Sequence, residues 1–177
     1  ARALCTSCTM FDILICGGEV LDGSGAAAFT ADIGVRGDRV TAIGDLRGAS
    51  AALRLDAGGL TVAPGFVDIH THSDFTLLVD GRADSQICQG VTTEVIGQCG
   101  FSAAPMGEPP EVSHLIGYVD AGVPLAWRSF GEYLERLQQA QPAVNVAAFV
   151  GHGAIRRAAA DGALATMQAL AEQAFDD

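Results

Sequence analysis

The chain has 177 residues, of which 49% are hydrophobic and 18% charged, and its formal net charge is −11. That balance excludes intrinsic disorder by composition, and without a basic patch it excludes a nucleic-acid-binding surface. No stretch reaches the roughly 18 apolar residues that span a bilayer, and no long apolar core of the secretory kind opens the chain. The expectation is a cytoplasmic protein with no nucleic-acid or membrane partner.

Residues 1–9 precede Met10 and read as an extension or tag-like tail. Cys5 and Cys8 lie in it at the spacing of half a zinc knuckle, with no second pair at a useful distance. Five cysteines at irregular spacing do not make a disulfide scaffold in a chain of this length. Cys16 and Cys88 sit among apolar residues and are expected to be buried thiols. Residues 11–16, 32–36, 40–43 and 53–55 predict short strands. Gly17-Gly18, Gly23-Ser-Gly25, Gly37-Asp38 and Gly58-Gly59 punctuate them, and Gly37-Asp38 predicts a tight hairpin. Residues 10–61 therefore read as one small β-rich segment.

From Thr61 the pattern changes. Residues 62–69 predict a buried strand, and 75–89 a helix with Leu77, Leu78 and Ile87 inward. Residues 91–96 are β-branched and predict a second strand. Residues 101–123, rich in Pro and Gly, predict a long irregular loop. A helix follows over 130–141, with Tyr133, Leu134 and Leu137 on one stripe. A third strand is expected over 144–150, then a third helix over 164–175 carrying Met167, Leu170, Ala171 and Ala174 inward. Strand-helix alternation of this kind means a parallel sheet with right-handed crossovers, so residues 62–177 read as three βα units.

Ala63-Pro-Gly-Phe-Val-Asp-Ile-His-Thr-His72 carries the first chemistry. In an extended strand Phe66, Asp68, His70 and His72 share one face. Two imidazoles separated by about 7 Å of strand rise can close on one ion if the chain bends after the first, and imidazole suits Zn2+. Two ordinary polar residues at a strand end fit the same pattern. Cys99 lies between Gly97 and Gly100, where the backbone can turn sharply and present the sulfur. A thiolate there is a strong zinc ligand; a buried structural thiol is the alternative. His152, in Gly151-His-Gly153, has its ring free to hydrogen-bond within the loop cluster, to touch substrate or to ligate a metal. Asp68 and Asp74 are candidates to orient a ligand, and His114 is expected in an exposed loop.

Val62-Ala-Pro-Gly-Phe-Val-Asp-Ile-His-Thr-His-Ser-Asp74 resembles the first barrel strand of the amidohydrolase superfamily. Gly90-Val-Thr-Thr-Glu-Val-Ile-Gly-Gln-Cys-Gly-Phe-Ser-Ala-Ala-Pro105 resembles the second-strand signature of its D-aminoacylases, also called N-acyl-D-amino-acid deacylases. Asn145-Val-Ala-Ala-Phe-Val-Gly-His-Gly153, followed by Arg156, resembles their third strand and its exit loop. The start, Phe11-Asp-Ile-Leu-Ile-Cys-Gly-Gly-Glu-Val-Leu-Asp-Gly-Ser-Gly25, also fits. One departure is Gln98, where the family usually shows Asn.

The resemblance implies an α/β fold: the N-terminal part of a metal-dependent hydrolase (β/α)8 TIM barrel, preceded by a small β-sandwich segment. Three of eight βα units leave that barrel incomplete. It implies that His70, His72 and Cys99 hold Zn2+, as one or two divalent ions. Cys99 would replace the carboxylated lysine of many amidohydrolases, which a chain without lysine cannot supply. His152 becomes a substrate-binding residue. The implied reaction is deacylation of an N-acyl-D-amino acid to the D-amino acid and a carboxylate. Its general-base aspartate, on strand eight, and two further histidine ligands are expected beyond Asp177. The chain is then an inactive, poorly soluble N-terminal fragment. A hydantoinase- or dihydroorotase-like cyclic amidase is an alternative, against which Gly97-Gln-Cys-Gly-Phe-Ser102 speaks. A non-catalytic truncated metal-binding protein is another.

Overall fold

The computed structural model describes residues 10–107 and 123–177, which divide into two units between Pro64 and Gly65. Cys5, Cys8 and His114, and most of the expected 101–123 loop, lie outside the described residues.

The first unit is a mixed sheet. Strands β1 (Phe11–Val20), β2 (Phe29–Arg36), β3 (Arg39–Gly44) and β4 (Ala51–Asp56) lie in the order β3-β2-β1-β4, and β5 (Thr61–Val62) also pairs with β1. Strands β1, β2 and β3 run antiparallel in sequence, whereas β4 and β5 run parallel to β1. Gly37-Asp38 makes the expected hairpin, with Arg36 opposite Arg39. Gly17-Gly18 does not end the first strand as expected. It forms a bulge inside one longer strand, where the register shifts between Ile15 and Gly18. Gly17 takes φ +68°, open to glycine at little cost, and donates its N–H to the Asp32 carboxylate at 2.8 Å. The Asp32 carboxylate also accepts from the Leu46 N–H at 2.9 Å, so this buried acid is satisfied by main-chain donors. The thiol expectation needs correction: Cys16 is half-buried beside Arg54, and Cys88 is exposed.

The second unit is built on a parallel three-stranded sheet, β6 (Phe66–Asp68), β7 (Val91–Ile96) and β8 (Asn145–Ala148), in that order. The strand expected over 62–69 is broken. Val62 belongs to β5 and pairs with Val20, while β6 begins only at Phe66. Pro64 cannot donate to a ladder, and a Cβ on Gly65 would lie 2.1 Å from Thr92 Oγ1, so only glycine passes β7 this closely.

The helix expected over 75–89 is two short turns, α1 (Thr76–Val79) and α2 (Asp84–Ile87). Asp80 interrupts it by accepting from the Arg82 N–H at 3.1 Å and pairing with the Arg82 guanidinium at 2.7 Å. Local side-chain bonds of this kind compete with helix. Leu77 and Leu78 are buried, but Ile87 is 39% exposed.

Helix α3 (Phe130–Ala140) starts at a capping box between Ser129 and Glu132 and buries Phe130, Tyr133 and Leu137. These pack with Phe75, Leu78 and Ile96 in one apolar cluster between helices and sheet. After β8 comes α4 (His152–Ala158), which sequence spacing does not predict, and then α5 (Leu164–Asp176), which it does. Among the described residues no helix is long and apolar enough to cross a membrane.

Candidate metal centre

Two strand exits supply the donors. The ladder alternation that would put His70 and His72 on one face stops at Asp68, where β6 ends. There the chain bends, and Asp68 Oδ1 accepts the His70 main-chain N–H at 3.1 Å. Asp68 thus shapes the turn and does not orient an imidazole through that bond. The bend brings the rings of His70 and His72 edge to face, with centroids 5.6 Å apart and planes at 67°.

The second exit follows β7. Gly97, Cys99 and Gly100 all take positive φ, at 78°, 56° and 77°. A Cβ on Gly97 would meet the Phe149 carbonyl oxygen at 1.9 Å, so this turn presses directly on the exit of β8. Cys99 is not glycine, and a left-handed backbone is uncommon for such a residue. The conformation aims its sulfur at the first exit: Sγ lies 3.2 Å from His70 Nε2. The donor atoms of His70, His72 and Cys99 all lie within 4.8 Å of one another. Two imidazole nitrogens and a thiolate around a tetrahedral zinc ion sit roughly 3.5 Å apart. The three residues therefore fit a divalent ion in both chemistry and spacing. His70 and Cys99 are exposed and His72 half-buried, which leaves the cluster open on one side.

The surroundings are braced from below. Gln98 Nε2 donates to the Ile69 carbonyl at 2.9 Å and to the Val95 carbonyl at 3.2 Å. Asp74 is buried, and burial pushes its carboxyl above the usual carboxylate range. Main-chain N–H groups of Asp74, Gly97 and Ala103, and the nearby His72, partly offset that rise. The buried Tyr133 hydroxyl donates to the Asp74 carbonyl at 2.9 Å. Burial, then the charge of Asp74, holds the Tyr133 phenol well above its ordinary range.

His152 is not among the gathered donors. It is the exposed first residue of α4. The α4 entrance sits against the Cys99 turn, because the Gly153 N–H donates to the Gly100 carbonyl at 2.8 Å and the Gly151 N–H to Ser102 Oγ at 2.9 Å. Sequence reasoning passed over Gln98 as a minor exchange of one neutral amide for another. It also passed over Glu94, the single charged residue of β7, which is wholly buried. Its position inside a β-branched run was the available signal.

A model of the amidohydrolase family matches residues 55–173. A D-aminoacylase of Alcaligenes xylosoxydans xylosoxydans is 45% identical over 175 residues, covering 93% of this chain and 36% of that protein. A solved D-aminoacylase structure superposes with a TM-score of 0.84 at 43% identity, covering 94% of this chain and 36% of the other. An N-acyl-D-glutamate deacylase from Bordetella bronchiseptica, solved with zinc and a phosphonate mimic of the tetrahedral intermediate, gives 0.84 at 35% identity over the same shares. The chain thus spans 36% of the length of these relatives.

Proposed function

The chain belongs to the amidohydrolase family, and from that premise we propose that it carries part of a divalent-metal centre in an enzyme hydrolysing N-acyl-D-amino acids. The observation that carries the reading is the convergence of His70, His72 and Cys99, whose donor atoms lie within 4.8 Å of one another on two adjacent strand exits. By name the relatives are a D-aminoacylase and an N-acyl-D-glutamate deacylase, the latter solved with zinc.

Bound Zn2+, as one or two ions, would supply Lewis acidity at the scissile carbonyl. The residues of this chain do the rest of what is described here. His70 and His72 offer neutral imidazole nitrogens, and Cys99 offers a thiolate in place of a carboxylated lysine. Asp68 fixes the bend that turns His70 toward Cys99. His152, exposed at the mouth of the third strand, is assigned to the substrate side, where its ring can hydrogen-bond a polar group of the acyl amino acid. Among the described residues no carboxylate joins the donor cluster, so the general base is assigned to another part of the protein.

The sheet β6-β7-β8 is read as the first three strands of a (β/α)8 barrel, and the mixed sheet of the first unit as part of a flanking β-sandwich. Two observations support the barrel. The strands are all parallel. Phe66, Val67, Ile69 and Phe149 are each more than half exposed, apolar surface of the kind a closed barrel covers.

Two measurements test the proposal. The chain should bind Zn2+, and Cys99→Ala should weaken binding at least about tenfold because a ligand is lost outright, while Cys16→Ala leaves it unchanged. In the protein that carries this chain, paired N-acetyl-D- and N-acetyl-L-amino acids should give turnover of the D form alone. Equal rates, or activity only on cyclic ureides, would sink the assignment.

A further inference from the structure

Resting on the metal-centre reading above, we infer that Gln98 is a positioning residue whose carboxamide sets the separation of the two ligand-bearing strand exits. The β6–β7 ladder ends at the pair Asp68 and Glu94. Past that pair the ligands stand on chain that no longer belongs to the sheet, and something else has to hold the exits in register. The Gln98 side chain does so. Its Nε2 reaches the Ile69 carbonyl, the peptide unit that leads into His70, at 2.9 Å. The same nitrogen reaches the Val95 carbonyl on β7 at 3.2 Å. Only the NH2 end of the amide can donate twice, so both of its protons are committed to the brace.

The Val95 carbonyl has a second visitor. It accepts the main-chain N–H of Thr71, the residue between the two histidines, at 3.3 Å. One carbonyl of β7 therefore gathers the His70–His72 segment directly and through Gln98. Gln98 is in turn the residue immediately before Cys99, whose φ of 56° leaves its backbone little freedom to drift. The brace fixes the 3.2 Å approach of His70 Nε2 to Cys99 Sγ. A metal centre is sensitive to displacements of a few tenths of an ångström in its donors, which is why the partners that hold ligands in place affect metal affinity about 10–100-fold.

The test uses the protein that carries this chain, with Zn2+ and Co2+ as probes. Gln98→Met keeps the length of the side chain and removes both donors. Gln98→Glu keeps its shape and sets a carboxylate oxygen against two carbonyls. Zn2+ affinity is measured by competition with a chromophoric chelator, and the geometry at sulfur by the thiolate-to-cobalt charge-transfer band. Gln98→Met should weaken Zn2+ about 10–100-fold and shift or diminish the cobalt band, and Gln98→Glu should weaken Zn2+ at least as much. The melt of either variant in excess chelator should match that of the parent. A Gln98→Met chain that binds Zn2+ as tightly as the parent, with an unaltered cobalt band, overturns the inference when Cys99→Ala loses the metal. Early melting in chelator overturns it too, since Gln98 would then serve the fold. If Cys99→Ala also binds as the parent does, the failure belongs to the metal-centre reading beneath it.

Discussion

Glu94 is wholly buried on β7, and among the described residues neither of its carboxylate oxygens has a hydrogen-bond partner. By register it shares a face with Ile96 and Val146, which pack against the helices. Asp32 is nearly as buried and shows the contrast, because two main-chain N–H groups satisfy it. An unsatisfied buried polar group costs about 1–3 kcal/mol, so Glu94→Leu should stabilise the chain by about that amount. The check is a urea titration in which the midpoint rises with an unchanged slope. A midpoint that falls would mean that Glu94 has found a partner in solution. At this scale the candidate donors that the structure gathers could be picked out from the sequence, because His-x-His and a glycine-flanked cysteine are recognisable by type and spacing. The contacts of Gln98 and Glu94 could not be. They depend on where β6 ends and on which face β7 turns to the helices, and neither is a local property of the residue.

Tyr133 shows how an element reaches the site. Helix α3 places its hydroxyl on the Asp74 carbonyl, two residues past His72, inside the apolar cluster. Tyr133→Phe keeps the ring and strands a buried carbonyl, so it should cost about 1–3 kcal/mol. Chemical denaturation measures that loss, and an unchanged midpoint would show the bond to be idle. The break between α1 and α2 makes a second prediction. The Arg82 guanidinium, bonded to the Asp80 carboxylate, lowers its pKa from 3.8 to about 2. A depressed folded pKa contributes stability that is present above the unfolded value and lost as pH falls through the folded one. The pair is exposed, so the contribution is small. Asp80→Asn should flatten the acid limb of the stability profile between about pH 4 and about pH 2, and an identical limb in the variant would dismiss the pair.

Element boundaries followed the same division between local and distant causes. Helices α3 and α5 declared themselves through apolar spacing. The strand expected over 62–69 failed at Pro64 and Gly65, where passage beside Thr92 decides the backbone. Helix α4 went unread because Gly151 and Gly153 look like loop, yet they are glycine so that the helix entrance can press on the Gly100 carbonyl.

At the scale of the molecule, the candidate donors sit on two neighbouring strand exits, with Cys99 29 residues after His70. An ion held between them closes the segment that contains α1, α2 and β7. Because it binds the folded arrangement and not the open chain, it stabilises by mass action, about 2.7 kcal/mol at a free concentration a hundred times Kd. Zn2+ should raise Tm for the parent and raise it clearly less for Cys99→Ala; equal shifts in both would place the ion elsewhere. An ion held there would also tie the lifetime of the polypeptide to the supply of metal. Without the ion, the turn around Asp80–Ala83 opens more often, and a protease cuts what opens. Limited trypsin digestion should therefore cut at Arg82 faster in chelator than with Zn2+ present, while cuts at the exposed Arg39 and Arg47 keep their rate. Metal scarcity would then register in a cell as faster turnover of the chain, before any question of its chemistry arises.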